Sequence, residues 1–253
     1  EKCESIVGHN VKLILELLAN KRTFATFFVL GWVAERHPKL IKEISEEGHE
    51  IATHGWSHTR AYQQTPEEFK MELKKSIDIL EDITGRPVLG HRAACFSITR
   101  DSQWVIDLLL ENSISYDSSI YPVIHDKYGM AGTPRFPYLL AEKNRGKLVE
   151  FPPTTYKFMG MNIPVAGGGY FRLYPYVFTS WIIRKLNKEN HPAMVYLHPP
   201  EFDPKLPRLK LGLLSNFRVY VGIKNNFHKL MRLLDDFKFA PVKEVLANLG
   251  FLN

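Results

Sequence analysis

Glu50-Ile51-Ala52-Thr53-His54-Gly55-Trp56-Ser57-His58 is the stretch on which the fold reading turns. Its apolar first half reads as a buried strand. Two histidines four residues apart follow at once. Strand carboxyl ends are where α/β proteins gather reactive side chains. Neutral imidazole is the commonest side-chain metal ligand, and this spacing lets both rings face one ion. Taken alone, the pair reads equally as two polar loop histidines.

Working outward, the pattern alternates. Residues 10–20 carry apolar side chains at helical spacing. Thr23 to Leu30 is β-branched, aromatic and almost wholly apolar, which predicts a strand buried on both faces. Residues 33–47 read as one amphipathic helix, with Gly48 as its cap. After the histidines, Thr65-Pro66-Glu67-Glu68 is a strong helix start. Gly85-Arg86-Pro87 stops that helix after about Thr84. Val88 to Arg92 is a short strand, Thr99 to about Asn112 a helix, and Ser115 to Ser119 strand and loop. The alternation implies βαβ units in a parallel sheet or barrel. Residues 120–172, rich in Pro, Gly and Tyr, read as an irregular functional insertion or lid. Beyond it come a helix over 174–190, a strand over 193–197, a helix near 222–236, a strand at 239–242 and a short helix to about Leu249.

The chain has 253 residues, 45% hydrophobic and 24% charged, which suits one domain with an ample core. Its net charge is +6. Lys74-Lys75, Lys205, Arg208 and Lys210 are scattered rather than gathered into a stripe with aromatics, so no nucleic-acid partner is expected. Cys3 and Cys95 form no disulfide framework. No apolar run reaches the length of a transmembrane segment and no leader opens the chain, from which a cytoplasmic location is expected.

His54, His58, Arg92, Asp117 and His198 all stand at the ends of expected strands. Singly, Arg92 reads as a surface cation, Asp117 as a turn residue and His198 as a core histidine. Jointly they favour one shared site.

Ala25-Thr26-Phe27-Phe28-Val29, Gly48 to His58, Gly90-His91-Arg92, Asp117-Ser118-Ser119 and Leu197-His198-Pro199, in that order, resemble the polysaccharide deacetylases: the NodB-homology domain of carbohydrate esterase family 4. Phe27 to Glu35, Arg92 to Ile98, Glu150 to Thr155, Pro164 to Arg172 and His198 to Pro204 resemble the deacetylases of exosortase-type (PEP-CTERM) exopolysaccharide loci. The resemblance spans nearly the whole chain. It implies an α/β fold, a deformed (β/α)7-type barrel, in a single domain over 1–253 whose residues from 200 onward are a subfamily extension. It further implies hydrolytic, metal-dependent N-deacetylation of a polysaccharide or oligosaccharide carrying N-acetyl groups. The metal is expected to be divalent, most commonly Zn2+, held by an Asp and two histidines that match His54 and His58. Arg92 matches the arginine that orients the base, and Cys95 the backbone N–H donor to the oxyanion. His198 matches the acid that protonates the leaving amine, and Asp117 is the candidate carboxylate that tunes it. Trp56, Phe96 and Tyr170 are candidate sugar-stacking aromatics.

Two departures stand out. The first motif, a strand ending in paired aspartates, has no counterpart, and the first aspartate is Asp78. The expectation is a fragment or truncated reading frame whose first strand is missing, rather than a degenerate relative, with weak zinc binding through two histidines and poor turnover. Second, Arg92-Ala93-Ala94-Cys95-Phe96 carries alanine where the subfamily has proline, which loosens the loop. Gly167-Gly168-Gly169 lacks the Lys-Ser/Thr ending of a phosphate loop, and no serine-hydrolase elbow is present. The rival readings are a metal-independent amide or cyclic-imide hydrolase on the same fold, and a carbohydrate-binding relative without chemistry.

Overall fold

One register row crosses the central sheet: Val29 lies opposite Thr53, Thr53 opposite His91, His91 opposite Asp117, and Asp117 opposite Glu150. The computed structural model in which this row is seen describes residues 2–125, 128–203, 206 and 212–252. Lys205, Arg208 and Lys210 fall outside them. In chain order the elements used below are α1 (Lys2–Asn20), β1 (Thr26–Val29), α2 (Gly31–Arg36), α3 (Pro38–Glu46), β2 (Glu50–Thr53), α4 (Pro66–Thr84), β3 (Gly90–His91), α5 (Val105–Glu111), β4 (Tyr116–Asp117), β5 (Tyr138–Lys143), β6 (Gly146–Glu150), α6 (Gly168–Leu173), α7 (Tyr176–Lys188), α8 (Leu213–Tyr220), α9 (Ile223–Asp236) and α10 (Val242–Asn248). Among the described residues no helix is long and apolar enough to cross a membrane.

The chain divides into two compact units. The larger comprises Phe24–Pro153, Gly160–Asn162 and Ala240–Asn253. Its six-stranded sheet has the order β1-β2-β3-β4-β6-β5, parallel except for β5. This is the expected α/β architecture, and among the described residues the sheet is not closed. Its core is built from Ile41, Ile44, Leu73, Leu80, Ile98, Leu109, Ile114 and Leu148.

Local signals explain most of the elements. Thr65 and Glu68 close a reciprocal capping box, and Gly85 ends α4 at φ 64°. The helix expected over 33–47 is two, because Pro38 cannot continue a helix from His37, whose φ of −128° and ψ of 50° are not helical. The insertion expected over 120–172 is partly regular: β5 and β6 form a hairpin, and β6 joins the sheet beside β4. The strand expected at 239–242 does not form. Pro241 there caps α10 instead. That helix returns to the start of the sheet. The Val242 N–H donates to Thr26 Oγ1 at 2.8 Å and the Lys243 N–H to Glu50 Oε2 at 3.2 Å. Gly90 leaves room for the ring of Tyr116, whose Cζ would stand 2.0 Å from a Cβ at that position.

The smaller unit comprises Glu1–Thr23, Thr154–Met159 and Ile163–Phe239. Leu17 of α1, Phe171 of α6, Tyr176 and Ile183 of α7, and Leu230 and Leu233 of α9 pack with Phe202 into its core. The strand expected over 193–197 is reduced to a single bridge between Tyr196 and Gly167.

Candidate active site

The loop after β2 is fastened on both sides. The His54 N–H donates to Val29 O at 2.8 Å, and the Gly31 N–H donates to Gly55 O at 2.9 Å. Gly55 turns at φ 76° and His58 at φ 62°, both left-handed. The second turn is unusual for a residue with a side chain. It folds the His58 ring back to 5.2 Å from the His54 ring, centroid to centroid.

His54 Nδ1 lies 2.6 Å from the backbone oxygen of Arg92. A carbonyl can only accept, so Nδ1 carries the ring proton and Nε2 keeps its lone pair. Burial, with a smaller push from the charge of His58, lowers the His54 pKa to about 3. The imidazole is therefore neutral at ordinary pH. A neutral ring anchored through one nitrogen is the arrangement of a metal-binding histidine. Two imidazoles suit zinc, but among the described residues no three His, Cys, Asp or Glu side chains are placed to hold one ion.

Arg92 is not a surface cation. It is 9% exposed, and its guanidinium lies 4.1 Å over the Phe28 ring. Its Nε donates to Ser118 O at 3.0 Å and its Nη2 to Ser118 Oγ at 2.8 Å. Asp117 is not a turn residue either. It is fully buried, and its Oδ1 accepts from His91 Nδ1 and from Ser119 Oγ, each at 2.7 Å. Opposite it stands Glu150, also fully buried and accepting the Ile120 N–H at 3.0 Å. Burial first, and the Asp117 carboxylate second, hold Glu150 well above the usual carboxylate range.

Cys95 and Phe96 are consecutive left-handed residues, each at φ 54°. Such backbone costs of order 1–3 kcal/mol and collects at functional sites. Cys95 is partly exposed, and the Arg60 side chain is hydrogen-bonded to it.

The aromatic candidates separate. Phe96 is buried against Tyr121, with ring centroids 5.2 Å apart, and serves the core. Trp56 packs on Gly31, where an added Cβ would meet its Cε3 at 2.3 Å, and it carries the Lys75 ammonium 3.5 Å over its ring. Tyr170, in the smaller unit, is half-buried and stacked with Tyr174 at 6.4 Å.

Sequence reasoning missed Glu72. This α4 carboxylate lines a small pocket with His54, His58 and His91. It accepts from Ser57 Oγ at 2.9 Å and from Gln64 Nε2 at 3.3 Å, so it ties the histidine loop to α4. No local pattern marks it out from the exposed acids of the same helix.

In the smaller unit His198 is 59% exposed, and its Nδ1 lies 3.1 Å from Glu201 Oε1. Tyr196, 5.9 Å away, meets the imidazole edge to face. The glycine run 167–169 has a packing reason: a Cβ on Gly167 would stand 2.0 Å from Tyr196 Cε1.

Comparison with known proteins adds the class. Residues 5–109, which include His54, His58 and Arg92, are similar to the polysaccharide deacetylase family. Residues 118–247, just over half of the chain, match the family described as Domain of unknown function (DUF3473), and the chain belongs to that family. The chain is 29% identical over 107 residues to a peptidoglycan deacetylase of Helicobacter pylori, covering 42% of this chain and 36% of that protein. It is 30% identical over 115 residues to a chitooligosaccharide deacetylase of Rhizobium leguminosarum bv. trifolii, covering 46% of this chain and 49% of the other. It thus spans less than half the length of either relative. A structure described as a polysaccharide deacetylase of Mycobacterium smegmatis superposes with a TM-score of 0.65 at 21% identity, over 99% of this chain and 82% of that one. At that identity the match speaks for the fold.

Proposed function

We propose that the protein hydrolyses the acetamide of N-acetylated sugars in a polysaccharide or oligosaccharide, and that it serves exopolysaccharide production. The observation that carries the reading is the His54–Arg92 contact of 2.6 Å, which leaves a neutral imidazole nitrogen turned out beside His58 at the sheet's carboxyl edge. His54 and His58 would hold a divalent ion, with zinc favoured by two imidazole donors. When bound, such an ion supplies Lewis acidity for an amide carbonyl. The chain's own residues supply three further parts. Arg92, pinned to Ser118, holds the third strand end in place and presents its backbone oxygen to His54. The left-handed turn at Cys95 sets a backbone N–H in the same loop as an oxyanion donor. In the smaller unit His198, exposed and with Nδ1 engaged, keeps Nε2 free to carry a proton, the role of a proton donor.

The test is acetate release from a chitin oligomer by the natural full-length gene product, with and without added zinc. Release that depends on zinc and falls at least a hundredfold in His54→Gln and His58→Gln supports the reading. Undiminished release by the double variant sinks it.

A further inference from the structure

We infer that Glu201, braced by buried Arg172, is the positioning residue that fixes the tautomer and direction of the His198 imidazole. This rests on the reading of His198 as a proton donor and goes beyond it, because the carboxylate comes from the turn that follows His198 rather than from a strand end.

The geometry is local and closed. With its proton on Nδ1, His198 donates to Glu201 Oε1 at 3.1 Å. The His198 backbone N–H donates to Glu201 Oε2 at 3.3 Å. One carboxylate thus holds both the ring and the main chain of the same residue. The imidazole side chain is 59% exposed while the carboxylate is 10% exposed. A buried carboxylate under an open ring sets where the ring points and leaves Nε2 facing outward.

Glu201 is itself fixed. Arg172 Nη2 lies 3.6 Å from Oε1, and Arg172 is 5% exposed. That guanidinium also donates to Val219 O at 2.7 Å, Val221 O at 2.8 Å and Arg218 O at 3.0 Å. The Glu201 carbonyl accepts from Asn226 Nδ2 at 3.1 Å. Gly222, at φ 68°, lets the chain pass close: a Cβ there would meet Arg172 O at 2.4 Å. Burying a charged pair costs several kcal/mol of desolvation unless its geometry is well satisfied. Here Nη1 and Nη2 of one arginine find three carbonyls and the nearby carboxylate, while its buried Nε finds no acceptor among the described residues. The bond from the His198 N–H to Glu201 is the return half of a capping box and closes the turn, whereas the contact with the ring nitrogen lies outside that motif. A charged pair aimed at an exposed imidazole is the arrangement that holds one tautomer ready for proton transfer.

The experiment is imidazole 15N NMR on the whole chain, at a pH where His198 is neutral, comparing the natural protein with Glu201→Gln and Glu201→Leu. In the natural protein His198 is expected mainly as the Nδ1–H tautomer. The Nε2–H share should rise roughly twofold in Glu201→Gln and dominate in Glu201→Leu. If the leucine variant does not fold, the glutamine variant decides. An unchanged tautomer ratio in a folded variant overturns the inference. Acetate release by His198→Asn is read alongside. If it persists, the proton-donor reading of His198 fails while the tautomer result stands. If it is lost and the ratio is still unchanged, the reading of His198 stands and the role of Glu201 falls.

Discussion

Asp117 and Glu150 face each other across paired strands, each with one buried oxygen that finds no hydrogen-bond donor among the described residues. Two carboxylates cannot satisfy each other, but one shared proton satisfies both. Glu150, the group raised by burial and by its neighbour, holds that proton. His91 donates to the far side of Asp117, so His91, Asp117 and Glu150 form one hydrogen-bonded row along the sheet register.

The pH consequence has a definite sign. Glu150 binds its proton more tightly in the folded than in the unfolded chain. Between the two values the folded state holds more protons, so stability falls as pH rises from about 4 upward. Glu150→Gln, neutral and nearly isosteric, should flatten that dependence. Melting temperatures at pH 5, 7 and 9 check it. Parallel curves for the variant and the natural chain would refute the shared proton.

His54 moves the other way. Its lowered value means that the unfolded chain binds more protons between about 3 and 6.5, so this residue's contribution to stability is lost as pH falls through that window. His54→Gln should remove that loss and also weaken zinc binding, by roughly tenfold to a hundredfold. Zinc titration by calorimetry reads the second effect, and equal affinity in the variant would mean that the ion sits elsewhere.

Gly90→Ala should destabilise the protein by about 1–3 kcal/mol, because the new methyl must displace the buried Tyr116 ring. The smaller partner in Gly90→Ala/Tyr116→Leu should recover part of what the methyl costs. Chemical denaturation of the two variants checks it. An alanine variant as stable as the natural chain would show that the strands can spread.

Lys75 covers one face of Trp56. If Trp56 stacks on a sugar, Lys75→Ala should tighten the binding of an N-acetylglucosamine oligomer about threefold, the scale of one exposed cation–π contact. Tryptophan fluorescence follows the titration, and an unaltered affinity counts against stacking on that face.

Legibility in the sequence followed the range of the interaction. The ends of α4 were readable because Thr65, Glu68 and Gly85 act within one turn. The strand-end residues His54, Arg92 and Asp117 were readable because apolar runs announce strands, and chemistry follows their ends. The hairpin of β5 and β6 was not, since a charged residue such as Glu150 gives no sign that a neighbouring strand will bury it. Glu72 looks like a helix acid, and only tertiary packing turns its carboxylate onto Ser57; Glu201 meets His198 within one turn, but its bracing by Arg172 comes from farther along the chain. The break at Pro38 was readable in principle, but apolar spacing ran on across it and outweighed the proline.

The return of α10 to the first strands sets an order of assembly. Thr26 and Glu50 are made early, yet two of the main-chain donors that hold them belong to Val242 and Lys243. During synthesis the chain must lay down the whole smaller unit before those donors leave the ribosome. The larger unit, whose segment from Ala240 onward is made after the smaller unit, is therefore the later of the two to be finished. Until then its Glu50 carboxyl waits with only Thr26 and Tyr116 for company.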